Sequence, residues 1–409
     1  MKVLMLGWEL PPHYTGGMGL VCYQLCKQLA SSGADIEFIL PFTADFPHIN
    51  FMKINPALPD GVDEVLRNAG GSTYDSQYFT YLSKDGTTRG AHMNEHQQHY
   101  TDYVLKLALY GSYDVIHAHD WLTMRAGIAA KQATGLPLIV HIHATEFDRA
   151  GGKHGNPLIH EIEYIGLHLA DRIVAVSEAT KQTIIKHYDI PAEKIDVVHN
   201  AIEFEDKDLH EGDNLYPYLM EMKNHGYKVV LGAGRLTIQK GFMNLLAAMK
   251  EVVAYQPKAL LLLIGGGELY HELIAKSAEL GIAKNVIVVG YLNGTGKAWR
   301  DAFRAADLFV MPSISEPFGL TPFEALTFGA PVLITKQSGA SEVLRNCLKV
   351  DFWDINEMAN QICAVINNPP LAKTLFENGY QELKRLTWGP PTEKLLKIYD
   401  KQLVRASDE

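Results

Sequence analysis

The sequence predicts an α/β protein made of two doubly wound parallel-sheet domains. Three observations carry this. The chain opens on a strand, loop, helix, strand pattern; similar units recur through the first half; and the scheme restarts after a charged break near residue 203. A βαβ unit implies parallel strands, because its crossover returns the chain to the same edge of the sheet. At 409 residues there is room for two or three domains, and a hydrophobic share of 47% supplies their cores.

The elements follow in order. "KVLMLG" is a short apolar strand, and a Pro- and Gly-rich loop leads to "GLVCYQLCKQLASSG". The apolar residues of that segment recur at helical spacing, and Gly33 stops it. "DIEFIL" completes the first unit. "DVIHAH" and "PLIVHIH" read as buried strands with "MRAGIAAKQATG" as the helix between them, followed by "RIVAVS", the helix "EATKQTIIKHY" and the strand "IDVVHN". "EFEDKDLHEGDNLYPYLMEMKNHG" is charged and weakly periodic, as a linker would be. "KVVLGAG", the loop "RLTIQKG", the helix "FMNLLAAMKEVVAY" and "ALLLLIGGG" then repeat the opening scheme, and "NVIVVGYL", "DLFVMPS" and "PVLITK" continue it. After a Pro-Pro break, "TEKLLKIYDKQLV" is an amphipathic helix. The expected domains are 1–203, joined by the helix of 388–409, and 204–387.

Bulk properties narrow the function. The net charge of −10 argues against a general nucleic-acid binder and weakens binding to an anionic membrane. Cys22 and Cys26 lie four apart in a helical pattern, while Cys347 and Cys363 stand alone. That is neither a disulfide framework nor a paired-Cys zinc pattern, so buried thiols in a reducing cytoplasm are expected. No apolar run suits a signal peptide or a bilayer span, and the expectation is a soluble cytoplasmic protein.

In open parallel sheets, ligands bind beyond the carboxyl ends of the strands. The loops there are the candidate sites. In "YTGGMG", Gly16, Gly17 and Gly19 let backbone N–H groups approach an anion at a helix start, or form a plain turn. "HAHDW" and "HIHATE" each follow a strand. Their H-x-H pairs, with Asp120 and Glu146, could ligate a metal, contact a sugar or phosphate, or bond only to backbone. In "GRLTIQKG", Arg235 and Lys240 suit a diphosphate whose leaving oxygen gains charge; a solvated pair is the ordinary alternative. "IGGGE" allows a phosphate cradle or close packing, and lacks the lysine and hydroxyl of a P-loop. Asp206 and Asp208 could hold Mg²⁺ but lie in the charged linker, which favours a solvated turn.

"SEPFGLTPFE" follows the strand "DLFVMPS". Thr321 suits an N-cap, Pro322 the first helical position, and Glu324 lies three after the cap, which predicts a capping box. Glu316 has no such local role. The N–H groups of Leu320, Thr321 and Phe323 are expected to form an anion site.

Taken together, these stretches resemble the retaining nucleotide-sugar glycosyltransferases of family 4 and the related glycogen and starch synthases. "EPFGLTPFE" looks like the E-x7-E motif, "GRLTIQKG" the Arg and Lys loop, and "GGMG" the N-terminal glycine loop. "HAHDW" and "HIHAT" look like the corresponding strand-end segments. The resemblance covers nearly the whole chain. It implies the GT-B fold, two Rossmann-like domains facing across a cleft, with the C-terminal helix crossing back to the N-terminal domain. It further implies that Glu316 contacts donor-sugar hydroxyls and Glu324 the nucleotide ribose, while Arg235 and Lys240 bind the diphosphate. Gly16, Gly17, Gly19 and the turn Phe318, Gly319, Leu320, Thr321 complete donor binding. His143 faces the donor sugar, and Asp120 and Glu9 lie on the acceptor side. One departure is Tyr14, where glycogen synthases of the bacterial type carry a lysine, which separates this chain from their ADP-glucose pattern.

The expected activity is therefore transfer of a hexose, with glucose foremost, from UDP-glucose or ADP-glucose to an α-glucan or oligosaccharide. No metal or other cofactor, nucleic acid or integral membrane association is expected. A lipid-linked or small-molecule acceptor is the alternative. Three further classes compete. A glycoside hydrolase would use Glu316 and Glu324, needing carboxyls about 5–5.5 Å apart for retention. A metal-dependent hydrolase would use the H-x-H pairs. A nucleotide-sugar epimerase would share the fold.

Overall fold

The computed structural model describes residues 1–14, 16–67, 78–83, 85–203, 214–294 and 296–408. The chain divides into two compact units. The first comprises Met1–Glu146, His154–Ala201 and Trp388–Glu409; the second comprises Phe147–Lys153 and Ile202–Thr387.

The first unit holds β1 (Lys2–Leu6), β2 (Asp35–Leu40), β3 (Lys53–Pro56), β4 (Val62–Arg67), β5 (Tyr78–Ser83), β6 (Thr88–His92), β7 (Val115–His119), β8 (Leu138–Ile142), β9 (Arg172–Ala175) and β10 (Ile195–Val197). Seven of these form a sheet in the order β10-β9-β8-β7-β1-β2-β3, with every pairing parallel. Every residue of β7 and β8 is buried. Both faces of such a sheet are covered, which is why its strands read as near-continuous apolar runs.

The second unit holds β11 (Lys228–Ala233), β12 (Ala259–Ile264), β13 (Val286–Gly290), β14 (Leu308–Met311), β15 (Val332–Thr335) and β16 (Leu348–Val350). They form a parallel sheet in the order β13-β12-β11-β14-β15-β16. Its core packs Val230, Leu261 and Leu263 against Phe242, Leu245 and Met249 of the helix Phe242–Tyr255.

Strand order decides where a ligand can sit. In the first sheet the order reverses at β1, between β7 and β2; in the second it reverses at β11, between β12 and β14. At such a switch point the connecting helices go to opposite faces and leave a crevice at the strand ends. The residues after β1, β7, β11 and β14 are among those the sequence singled out; the other two loops it singled out follow β8 and β12, one strand further along each sheet.

Other elements were not predicted. Strands β4, β5 and β6 form a separate antiparallel sheet, followed by the helix Met93–Tyr110. Phe79 of that sheet stacks on His96, and Trp8 meets Phe79, His96 and Tyr100. The Tyr100 hydroxyl bonds the carbonyls of Gly7 and Ile39, tying this layer to the ends of β1 and β2. The final helix, Gly389–Asp408, lies in the first unit and packs against the helix Gly17–Ser31.

Candidate functional site

In the second unit the loops after β11 and β14 are laced together. The Ile314 N–H donates to the Gln239 carbonyl at 2.8 Å, and the Gln239 amide donates to the Ser315 carbonyl at 3.1 Å. This brings Lys240 Nζ to 2.5 Å from Glu316 Oε2, and the Ser313 hydroxyl donates to the same oxygen at 2.9 Å. Glu316 is buried, and its backbone is pinned on both sides: its N–H donates to Gln337 at 3.0 Å and its carbonyl accepts from Gly339 at 2.9 Å. The carboxylate is thus fixed in a charge-assisted pair. From sequence, Lys240 and Glu316 are expected to meet different parts of the donor; the structure joins them. Arg235, half-buried, lies on the same loop.

The turn after Glu316 depends on Gly319. Its φ of 88° lies in the left-handed region, and a Cβ there would stand 2.9 Å from Glu316 Cγ. Phe318 stacks on Phe323 beneath the turn. The next helix runs Thr321–Thr327 with Leu320 at its N-cap, so the predicted capping box does not form. The boundary falls one residue early: Thr321 is already helical, and Glu324 has moved past the position from which it could reach back. The Phe323 N–H is also spent, donating to the Leu320 carbonyl at 3.0 Å. The N–H groups of Leu320 and Thr321 make no hydrogen bond among the described residues, which narrows the expected anion site to these two.

Burial raises the Glu324 carboxyl from its usual range to about 7. Its side chain makes no hydrogen bond among the described residues, leaving it able to bond a ligand group. A carboxyl whose folded pKa lies above its unfolded value binds more protons in the folded state. Stability therefore falls as pH rises from about 4.5 to about 7. Glu324→Gln removes this dependence. Its melting temperature should exceed that of the wild type increasingly as pH is raised from 5 to 8, measured by thermal denaturation.

"IGGGE" follows the packing alternative. Gly265 has φ 148°, and a Cβ there would lie 1.8 Å from the Gly234 carbonyl oxygen. The strand-end loops of β11 and β12 can cross this closely only without a side chain. Asp206 and Asp208 lie outside the described residues.

In the first unit the glycine loop starts the helix Gly17–Ser31, with Gly16 at the N-cap. Gly17 is exposed, whereas Gly19 donates its N–H to the buried carboxylate of Glu9 at 3.3 Å. A Cβ on Gly19 would also meet Tyr14 at 2.8 Å. So Gly16 and Gly17 can offer backbone to a ligand, while Gly19 serves packing. Asp120 opens the helix Asp120–Thr134 in a left-handed conformation, with φ 55° and no exposure. Its carboxylate accepts the His143 N–H at 2.7 Å and the Ala144 N–H at 3.4 Å. It points into the protein and shapes the end of β8. Glu146 likewise accepts from the Asn156 N–H at 2.7 Å.

The two H-x-H pairs make a grid. His117 and His119 stack on each other, as do His141 and His143, each with ring centroids 4.5 Å apart. Across the strands, His117 Nε2 lies 3.2 Å from His141 Nδ1, and His119 Nδ1 lies 2.8 Å from His143 Nε2. The ends are tied too: His117 Nδ1 to the Tyr399 hydroxyl at 2.5 Å, and His119 Nε2 to Met5 Sδ at 3.1 Å. Burial depresses all four rings, His117 and His143 to about 3, and like charges on neighbouring rings would add to this for the first three. All four are therefore neutral at physiological pH. Cys22, His119 and His143, or His117, His119 and His141, lie close enough to share a cation. As they stand, the nitrogens between strands are paired with each other at hydrogen-bond distances. The sequence left three readings of these histidines open, and none included mutual pairing.

Two Rossmann-like units with ligand loops at their switch points define the GT-B fold, and known structures agree. Sucrose-phosphate synthase from Thermosynechococcus elongatus superposes with a TM-score of 0.74 at 19% identity, over 99% of both chains. Anabaena HepE, solved with UDP and glucose, gives 0.70 at 20% identity, over 98% of this chain and all of that one.

The model of Glycosyltransferase Family 4 matches residues 15–206, and that of Glycosyl transferases group 1 matches 221–382. Between them they span most of the chain, which belongs to glycosyltransferase family 4 and is a glycosyltransferase. Its relatives include an uncharacterized glycosyltransferase of Methanocaldococcus jannaschii, 28% identical over 85% of this chain and 83% of that one. The glycogen synthase of Mycobacterium tuberculosis is 26% identical, covering 94% and 90%. The D-inositol 3-phosphate glycosyltransferase of Thermobispora bispora is 26% identical, covering 95% and 91%. Among the described residues, no helix is long and apolar enough to cross a membrane.

Proposed function

We propose that the protein is a retaining glycosyltransferase that moves a hexose, glucose foremost, from a nucleotide diphosphate sugar to an α-glucan. The observation that carries the donor side is the Lys240–Glu316 pair beside the free amides of Leu320 and Thr321. A fixed carboxylate accepts hydrogen bonds from sugar hydroxyls, and the cations and amides beside it suit a diphosphate. Anabaena HepE, of the same fold, binds UDP and glucose, which supports a nucleotide-sugar donor.

In this reading the donor C1–O bond breaks with oxocarbenium character, and its electron pair leaves on the diphosphate. Lys240, Arg235 and the two amides offset that charge. An acceptor hydroxyl attacks C1 from the face the diphosphate leaves, and its proton passes to the departing phosphate oxygen. Glu324 bonds the ribose, and His143 the donor sugar. The scheme needs no protein nucleophile and no metal. A cytoplasmic location fits this substrate.

The acceptor has two candidates, because the glycogen synthase and the inositol-phosphate enzyme are each 26% identical to this chain over nearly its whole length. A screen of UDP-, ADP- and GDP-sugars decides between them. Each donor is offered with glycogen, with maltooligosaccharide and with inositol phosphate, and nucleotide release and product growth are read. Chain growth from a glucose donor is expected. Growth with none of them removes the glucan acceptor, and transfer to inositol phosphate installs the second reading.

A further inference from the structure

We propose that Met5 and His119 are positioning residues that hold His143 in one tautomer, with its proton on Nε2 and a free lone pair on Nδ1. Met5 Sδ lies 3.1 Å from His119 Nε2. A thioether has no proton to give and accepts only weakly, so the approach is favourable only when Nε2 carries the hydrogen. A neutral ring then has its lone pair on Nδ1. That nitrogen is 2.8 Å from His143 Nε2, which must supply the proton between them. His143, neutral in turn, is left with a lone pair on Nδ1.

Both rings are held neutral by burial, and a second proton on either would bring charge into a core of aromatic rings. The other titratable neighbours are Asp120, whose carboxylate accepts the His143 backbone N–H, His141, which stacks on His143, and Cys22, within 4.8 Å of a nitrogen of each ring. Burial raises its thiol well above the usual range, so it stays protonated, and it makes no hydrogen bond to either ring. The parallel line from Tyr399 through His117 to His141 touches this one only by ring stacking.

The consequence falls on His143 Nδ1, which is buried and bonds nothing among the described residues. As a lone-pair acceptor it recognises a donor, such as a sugar hydroxyl, and disfavours a carboxylate or phosphate oxygen. That last step rests on the glycosyltransferase reading of His143; the tautomer does not. Which nitrogen of a histidine is free is set by the bond the other one makes.

The test uses the full-length protein with ¹⁵N-labelled histidine and long-range ¹H–¹⁵N correlation spectra. His143→Gln assigns the His143 signals by their loss. In the wild type, Nε2 should carry the proton and Nδ1 should show the shift of an unprotonated nitrogen. Met5→Leu conserves volume and removes only the sulfur acceptor, and His119→Phe keeps the stacking and removes both nitrogens. Either variant should populate the second His143 tautomer and reduce kcat by about tenfold, the lower end for losing a group that orients a functional histidine. A wild-type His143 protonated on Nδ1, or an unchanged tautomer in both variants, overturns the assignment. A shifted tautomer with unchanged kcat overturns the positioning role. The spectra need no donor or acceptor, so failure of the proposed substrates leaves them to be judged separately.

Discussion

Glu316→Ala and Lys240→Ala should each lower transfer from the nucleotide sugar by about 10²–10³-fold, the usual cost of removing one preorganised group at a charge-developing centre. The two losses should not add. The side chains hold each other at 2.5 Å, so removing one already frees the other, and the double variant should resemble the worse single one. Glu316→Gln separates structure from chemistry. It keeps a group able to bond the Ser313 hydroxyl, which the alanine leaves unpaired, and should melt nearer the wild type while transferring as poorly as the alanine. Steady-state transfer assays and thermal denaturation of the same preparations read both. Retained transfer in Glu316→Ala and Lys240→Ala would remove this loop from the donor site.

The second large effect is at Asp120. Asp120→Ala removes the acceptor of the His143 and Ala144 N–H groups and puts a β-carbon without polar compensation at φ 55°. An orphaned buried N–H costs about 1–3 kcal/mol, and left-handed backbone about 1–2 kcal/mol more. Melting should fall by several degrees, and transfer should fall with it, because the end of β8 carries His143. Asp120→Asn keeps an acceptor oxygen and tolerates the left-handed conformation, so it should recover most of both. If asparagine were as inactive as alanine, the charge itself would be required, as in the acceptor-side role implied by the family resemblance.

The inner strands of both sheets were legible because parallel strands covered on two faces are apolar without interruption; "VIHAH" reads as a strand even with two histidines in it, whereas the short, half-exposed edge strands β3 and β16 were not found. Strands β4 to β6 were not. "VDEVLR" and "TRGAH" are half polar, and no glycine-rich loop or helix follows them in the βαβ manner. Within the site, the loops were found because they follow the carboxyl ends of strands. Their internal pairing was not, since Lys240 and Glu316 are 76 residues apart and no spacing rule joins them. The capping box failed on one residue of helix boundary, which a Thr-x-x-Glu pattern alone does not fix. The histidine grid was hidden for a different reason. Two H-x-H pairs on neighbouring strands specify four rings on one face, but which nitrogen meets which follows from the register, His119 opposite His141, and from Met5 and Tyr399 at the two ends.

Tyr399 also bears on how the chain is made. Its hydroxyl meets His117 across 282 residues of sequence, and the helix that carries it belongs to the first unit. A ribosome delivers residues 1–201 first, then residues 202–387, which are the bulk of the second unit, and only afterwards the segment that closes the first core. The early half must therefore wait with its surface against the final helix uncovered while its neighbour is synthesised. This makes docking of the helix Gly389–Asp408 the step on which completion of the first core depends.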